Sequence, residues 1–481
     1  CLVGSEMCIR DRVSDVLRME LTFRHVPVVT ECELRNISEK KNGFLLETGK
    51  GIFSLLFCTF VFLSLPVLAQ QSTLLEKYRT MALDYNHDLK AAEKNIAASM
   101  EVEKSARADL KPKLSGAASF QYTGNPMELT LDIPSIGLSK TVEGKNLNYG
   151  GSLSILQPVY TGGRVLESIR MAQHQQALAG NQAKALNDAV CYQTDIQYWS
   201  AVARQEIVDV AEDFRNSIAA LVKTIKERVE VGLVDPQDLL MAEVKLNEAE
   251  YQLLQAQSNF ETGRMALNSM IGVRLEQPTE LDAQIPIVVV SDSLWLSTGM
   301  GRPEIQMAYD KIRIAESTKK LNDSQFKPQF YVGVEGSYSS PGYNFKKDLD
   351  PNYAVYAKVS VPIFEWGKRR SEKRVSSFRI GMAEDNLNKV VDRVELEVSV
   401  ARKALSQAIE RVRLSESSLA KAEENEAKAV ERYNEGKVSV VEVIDAQTYR
   451  QTSQVNYVQA KAAAQGHYSE LIKALHSYDY R

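Results

Sequence analysis

"LQPVYTGGRVLES" occupies positions 156–168, and "SVPIFEWGKRRSE" occupies positions 360–372. Each contains proline, an apolar residue, an aromatic, two further residues, glycine and a base. Each then opens into a long stretch without proline: the next proline after Pro158 is Pro236, and none follows Pro362. Such stretches are where very long helices can run. The pairs Pro158/Pro362, Gly163/Gly367 and Arg164/Lys368 are all 204 positions apart. "ERVEVGLVDPQDLL" from Glu227 and "ERYNEGKVSVVEVI" from Glu431 keep that offset, setting Arg228 against Arg432 and Gly232 against Gly436. Upstream, "LKPKLSGAASFQYTG" matches "FKPQFYVGVEGSYSS", but Pro112 and Pro328 are 216 apart. The chain is therefore a tandem duplication. Equal spacing implies a rigid element of fixed length. The slack implies a longer exposed loop in the first copy, between Pro112 and Pro158.

The equally spaced part reads as helix. Residues 167–231 are rich in Ala, Gln, Glu, Lys, Arg and Leu, all strong helix formers. Ile207, Val208, Val210 and Ala211 recur at helical spacing, as do Ile218, Leu221, Val222 and Ile225. A helix from Gly163 to Val231 is roughly 100 Å long at 1.5 Å per residue. It is stable only when laid against similar helices, as in a coiled coil. Gly232 stops it, and Asp235-Pro236 starts a return helix running to about Met270. The second copy predicts the same hairpin, from Lys368 to Glu435 and from Ser439 to His476.

The slack part reads as strand, four times over, with a period of two. Leu114, Gly116, Ala118, Phe120 and Tyr122 alternate with Lys113, Ser115, Ala117, Ser119 and Gln121. Leu147, Tyr149, Leu153 and Ile155 alternate with Asn146, Asn148, Ser152 and Ser154. Phe330, Val332, Val334 and Tyr338 oppose Gln329, Tyr331 and Glu335, and Tyr353, Val355, Val359 and Val361 oppose Asn352, Lys358 and Ser360. Strands of this length span a bilayer when tilted, apolar outside and polar inside. They also fit a soluble sheet with one wet face. In lipid, four strands cannot close a barrel, and open edges are not tolerated, so closure there needs several chains.

Bulk properties agree with an exported protein. The 481 residues are 44% hydrophobic and 25% charged, with a net charge of −4 that offers no case for nucleic-acid binding. "GIFSLLFCTFVFLSLPVLAQQ", from Gly51, has the layout of a secretory signal with cleavage after Ala69. The expected organisation is thus an artefactual upstream extension at 1–50, a signal peptide at 51–69, one repeat at 70–286 and a second at 287–481. Cys1, Cys8, Cys32 and Cys58 precede the cleavage site, leaving Cys191 to act as a small buried apolar residue.

With strand, proline, glycine, base, long helix and second glycine present twice, the chain resembles the TolC family of outer-membrane efflux proteins over about residues 73–476. "NHDLKAAEKNIAASMEVEKSARADLKPKLSG" is similar to the family's first helix and strand, and "YNEGKVSVVEVIDAQ" to its helical turn at the periplasmic tip. The resemblance implies an α+β membrane protein. Three chains build a trimeric 12-stranded outer-membrane β-barrel, four strands from each, continuing into a long α-helical coiled-coil periplasmic tunnel. It implies a passive duct in the cell outer membrane of a Gram-negative bacterium, in contact with outer-membrane lipid. An inner-membrane pump (RND type or ABC transporter) supplies the energy, and a periplasmic adaptor joins the two. Each subunit then needs two strand-to-helix corners, at Pro158 and Gly163 and at Pro362 and Gly367. There proline ends strand pairing and glycine permits the bend.

The resemblance also assigns residues. Arg228, Gly232, Leu233 and Val234, with Arg432, Gly436, Lys437 and Val438, match adaptor-docking turns. Glu442 and Asp445, three apart on one helix face, match the aperture positions. In a trimer they form stacked carboxylate rings that favour cations. Asp238 and Tyr433 match positions that link neighbouring hairpins, while the basic partner expected at Val438 is missing. No cofactor, metal site or catalytic group is expected. His87, His174, His467 and His476 are scattered, and "DLDPNY" at 348–353 reads as a hairpin loop rather than a calcium loop. Trp199 reads as helix packing, and Tyr160 and Trp366 as a barrel-rim aromatic girdle. The function expected is small-molecule efflux. The alternatives are the exit duct of type I protein secretion and, less favoured, a soluble periplasmic coiled-coil scaffold.

Overall fold

A computed structural model describes residues 73–342 and 348–478. The upstream extension at 1–50 and the signal segment at 51–69 lie outside the described residues. Two helices, α1 (Thr73–Tyr85) and α2 (His87–Ala108), lead to strand β1 (Lys113–Tyr122). After β2 (Glu128–Ile133) and β3 (Leu138–Glu143) comes the long strand β4 (Leu147–Tyr160). Helix α3 (Arg164–Glu230) then descends and α4 (Pro236–Ile271) returns. A short helix α5 (Asp292–Leu296) precedes α6 (Pro303–Ser324), strands β5 (Gln329–Ser340) and β6 (Asp350–Ser360), and a second long hairpin of α7 (Lys368–Asn434) and α8 (Val440–Leu475). Both descending helices have 67 residues and both return helices 36.

The strands form one antiparallel four-stranded sheet in the order β1-β4-β5-β6, so the two halves are joined through β4 and β5. Register brings the apolar faces together: Leu114 opposes Ile155, which opposes Val334, which opposes Val355. The same row in the next register is Phe120 opposite Tyr149. The polar face is equally continuous, with Ser115 opposite Ser154 and their hydroxyl oxygens 2.7 Å apart. Among the described residues the apolar face is left largely uncovered: Leu114 is 70% exposed, Phe120 75% and Tyr353 81%.

Two details depart from the sequence reading. The slack in the first copy is an ordered structure rather than a plain loop. Strands β2 and β3 form a separate antiparallel hairpin, Leu129 opposite Val142 and Thr130 opposite Thr141, closed by a turn at Pro134–Ile136. At the first corner, Pro158 does not end the strand. Strand β4 continues to Tyr160, and its register slips between Pro158 and Tyr160, leaving Val159 as the extra residue, so the proline borders a bulge, where its missing N–H is tolerated. At the second corner β6 stops at Ser360, before Pro362. In both copies the corner glycine is left-handed at the helix start, with φ of 91° at Gly163 and 80° at Gly367.

The long helices are stable because they carry heptad seams. Phe214, Ile218, Leu221 and Ile225 in α3 alternate steps of four and three and are buried. They face Ala242, Ala249 and Ala256 of α4, spaced by seven and buried. Large knobs thus enter a row of small residues, which is coiled-coil packing. Val394, Val398, Ala401, Leu405, Ala408 and Val412 make the corresponding seam in α7. Further up, Tyr198, Trp199 and Val202 of α3 pack with Leu75, Tyr78 and Ala82 of α1 and Leu267 of α4. Trp199 is therefore packing, edge-on to Tyr198 with ring centroids 5.0 Å apart.

Candidate functional site

The two hairpin tips are built alike. In α3 the N–H of Leu233 donates to the Arg228 carbonyl at 2.9 Å and that of Gly232 to the Val229 carbonyl at 2.9 Å. In α7 the N–H of Lys437 donates to Arg432 at 2.9 Å and that of Gly436 to Tyr433 at 3.0 Å. Both are Schellman closures, and both need the left-handed backbone at the glycine, φ 77° at Gly232 and 75° at Gly436. Asp235 then caps α4, accepting the Gln237 N–H at 2.8 Å, with Pro236 in the first helical position.

The turn residues divide between inside and outside. Leu233 is 76% exposed. Val234 and Val438 instead pack onto the apolar cluster that joins the two tips, formed by Leu221, Ile225, Ala242, Tyr433, Val440 and Val443. So the position where the resemblance puts a base, Val438, belongs to a hydrophobic seam. Lys437 is exposed and pairs with Glu435 at 2.7 Å, and Arg432 is exposed.

Glu442 and Asp445 project from the start of α8. Val440, Val443 and Ala446 on the same turns are buried against the first hairpin, whereas both carboxylates are exposed on the face turned away from it. Asp238, half-buried at the start of α4, lies close enough to act on Tyr433. The Tyr433 phenol is pushed above its ordinary value by burial, with Asp238 adding to the rise and Arg228 opposing it. The structure thus brings Asp238, Tyr433 and Arg228 together, and sets Glu442 and Asp445 apart from them.

Sequence reasoning missed the polar contacts that tie the two hairpins. The amide of Gln447 donates to the Ser217 hydroxyl at 2.7 Å, that hydroxyl donates to the Glu426 carboxylate at 3.3 Å, and Gln451 donates to Gln252 at 2.8 Å. Higher up, Lys461 of α8 pairs with Glu206 of α3 at 2.9 Å, both buried. Partners some 200 residues apart leave no local signal, since periodicity names a face and not its occupant.

At the corners, Phe364 and Trp366 stack edge to face at 4.9 Å, and Trp366 is 89% exposed. Trp366 also adopts φ 46°, in the left-handed region where its counterpart Gly162 has φ 66°. Tyr160 is half exposed at the matching corner. "DLDPNY" is the start of a strand: β6 begins at Asp350 and contains Tyr353. Among the described residues no group of three or more His, Cys, Asp or Glu is placed to hold a metal ion, and no helix is long and apolar enough to cross a membrane.

Known proteins with this architecture are channels. The protein CmeC of Campylobacter jejuni, an outer membrane channel, superposes with a TM-score of 0.66 over 85% of this chain and 87% of its own, at 19% identity. The solvent efflux pump outer membrane protein SrpC of Pseudomonas putida is 21% identical over 372 residues, covering 76% of this chain and 77% of its own. The cobalt-zinc-cadmium resistance protein CzcC of Cupriavidus metallidurans is 22% identical over 319 residues, covering 63% of this chain and 71% of its own. The family described as outer membrane efflux protein matches residues 79–273 and 300–476, once across each long hairpin. The chain therefore belongs to the outer membrane efflux protein family.

Proposed function

We propose that three copies of this chain form the passive exit duct of a tripartite efflux system, expelling small toxic molecules across the outer membrane. The observation that carries this reading is the open four-stranded sheet. Its outer face is apolar and bare, and its edges, β1 and β6, carry unpaired backbone groups. Lipid accepts the first and forbids the second, so each edge must be completed by another copy. Three copies give a twelve-stranded barrel. All the helices leave one end of the sheet, since β1 and β5 begin there and β4 and β6 end there. They continue as a tunnel, with repeats 70–286 and 287–481 each supplying one hairpin.

The duct has no energy source of its own. An inner-membrane pump, of the RND or ABC type, drives transport, and a periplasmic adaptor seats on the tips. The exposed Leu233 and the Gly232 and Gly436 turns are the docking points, with Arg432 and Lys437 beside them. Glu442 and Asp445, turned away from their own hairpin pair, form carboxylate rings at the periplasmic mouth. Solvent efflux in the name of SrpC and metal resistance in that of CzcC favour small cargo over secreted protein.

The test is the mass of the detergent-extracted protein by light scattering with detergent subtraction. Three chains in a particle that needs detergent support the duct. A detergent-independent monomer or dimer overturns it in favour of a soluble coiled-coil scaffold.

A further inference from the structure

Midway along α3, Tyr198 and Val202 face a second layer of chain. The Tyr198 ring lies 5.8 Å from that of Tyr78 in α1, and its hydroxyl donates to Asp282, in the segment leading from α4 to α5, at 2.7 Å. At 3.6 residues per turn, Ile196, Ala203 and Ile207 fall on the opposite side of the helix. There the described residues leave a groove of about 670 Å³ between α3, α4 and α8, the size of a small-molecule site. Small residues hollow it out: Ala203 of α3, Ala256 of α4, and Ala463 and Gly466 of α8. In a tube closed from three copies, a second layer has room only outside the wall. With α1 and the crossing segment external, the groove opens on the bore.

The groove offers donors that nothing in the chain uses. Trp199 borders it while only 4% exposed. Its indole N–H has no hydrogen-bond partner among the described residues, although a buried indole ordinarily finds one. Arg204 lies across α4 at the rim. Its Nη1 donates to the Asn259 carbonyl at 2.9 Å, and it covers Gly263, where a Cβ would come within 2.8 Å of the guanidinium. The remaining N–H groups of Arg204 have no partner among the described residues. The groove's carboxylate, Glu470, is already engaged by the His467 ring nitrogen at 3.0 Å. Trp199 and Arg204 can only donate, so a ligand has to bring the acceptor. The uncompensated guanidinium favours an acceptor that is charged. Ile196 and Ile207 beside the indole ask for a flat apolar body.

We propose that this groove is a weak way-station for small aromatic anions in the tunnel wall. The ring lies against Ile196, Trp199 and Ile207, and the carboxylate is held by Arg204 and the Trp199 N–H. The inference rests on the duct reading, which sets the groove on the bore. A duct has to release what it binds, and a hollow open to the bore, holding its guest by one charge and one N–H, is suited to that. Three copies place three such hollows at one height.

Saturation-transfer NMR titration of the detergent-extracted full-length protein tests it, with particle mass read by light scattering on the same sample. Benzoate is the probe, and benzylamine, with the same ring and the opposite charge, is the control. Wild-type protein is expected to bind benzoate with a Kd on the order of a millimolar and benzylamine at least tenfold more weakly. Arg204→Gln is expected to weaken benzoate about tenfold, the loss of one charge-assisted contact. Trp199→Phe, which keeps a ring and drops the N–H, is expected to weaken it roughly threefold. Ala463→Phe fills the groove from an exposed position, where the fold tolerates it, and is expected to abolish binding. That variant also reports what the detergent alone takes up. No saturable benzoate binding by three-chain particles, or binding untouched by Arg204→Gln and Ala463→Phe, overturns the way-station and leaves the duct standing. Benzylamine binding as tightly as benzoate overturns the choice of anion. Particles of other than three chains overturn the duct, and with it the placing of the groove on a bore, whatever benzoate does.

Discussion

Lys461 and Glu206 lie 255 residues apart in sequence and 2.9 Å apart in space, with side chains only 8% and 10% exposed. The Glu206 carboxylate also accepts the backbone N–H of Ile285, in the segment that crosses from the first repeat to the second. One carboxylate thus pins α8 and the crossover to α3. Removing one partner leaves a buried, uncompensated charge, which costs about 3–5 kcal/mol. Lys461→Ala is expected to lower the thermal unfolding temperature of the detergent-solubilised protein sharply. The double change Lys461→Met with Glu206→Gln, which removes both charges and keeps an acceptor for the Ile285 N–H, is expected to recover most of the loss. Equal destabilisation by the double change contradicts this account.

Cys191 gives a prediction in pH. It is buried on α3, and burial pushes its thiol up to about 12 from an ordinary 9.0. A thiol whose native value is raised stays protonated in the fold while the unfolded chain ionises. Its contribution to stability is therefore intact below pH 9 and is lost as pH climbs from about 9 to about 12. Cys191→Ala is expected to flatten that alkaline decline, measured as melting temperature against pH. In native protein at pH 8 the thiol is expected to resist maleimide, and to react at once in denaturant.

The tip carboxylates make a prediction about ions. Glu442 and Asp445 are exposed and face away from their own hairpin pair. If they ring the mouth, Glu442→Gln with Asp445→Asn abolishes most of the cation preference, because the change removes charge with little change of shape. The measurement is the reversal potential across a salt gradient. An unchanged potential places the carboxylates away from the conduction path.

The β2–β3 hairpin leaves the sheet at the end opposite the helices, since it connects the end of β1 to the start of β4. If the helices are periplasmic, the hairpin is outside the cell. A peptide tag inserted between Ile136 and Gly137, in its turn, is expected to be stained by antibody on intact cells. A tag after Gly436, at a helical tip, is expected to stain only after the outer membrane is permeabilised. The reverse pattern inverts the topology.

Much of this architecture is legible in the sequence, and the reason is periodicity. Leu114, Ile155, Val334 and Val355 share a face because alternation is a local property, and the register of β1, β4, β5 and β6 then sets those faces side by side. The offset of 204 carries the matched helices in the same way. What stays hidden is long-range. Nothing near Arg228 names Tyr433, and nothing near Glu206 names Lys461. Val438 reads as a missing base until the tip cluster shows it packed, partly buried, against apolar neighbours. The hairpin was within reach, since Leu129, Leu131, Leu138 and Val142 alternate with polar residues. Its two runs are short, and among the described residues the second copy has no counterpart to them.

The matched lengths have a consequence for how such a chain can change. Two descending helices of 67 residues and two returns of 36 put both tips at the same depth. Deleting one heptad from a single copy lifts its tip by about 10 Å and leaves the other where it was. The rim then becomes a staircase, and whatever rests on it rocks. Each hairpin is in effect the gauge to which the other is cut, so a viable change of height must be made twice, 204 residues apart.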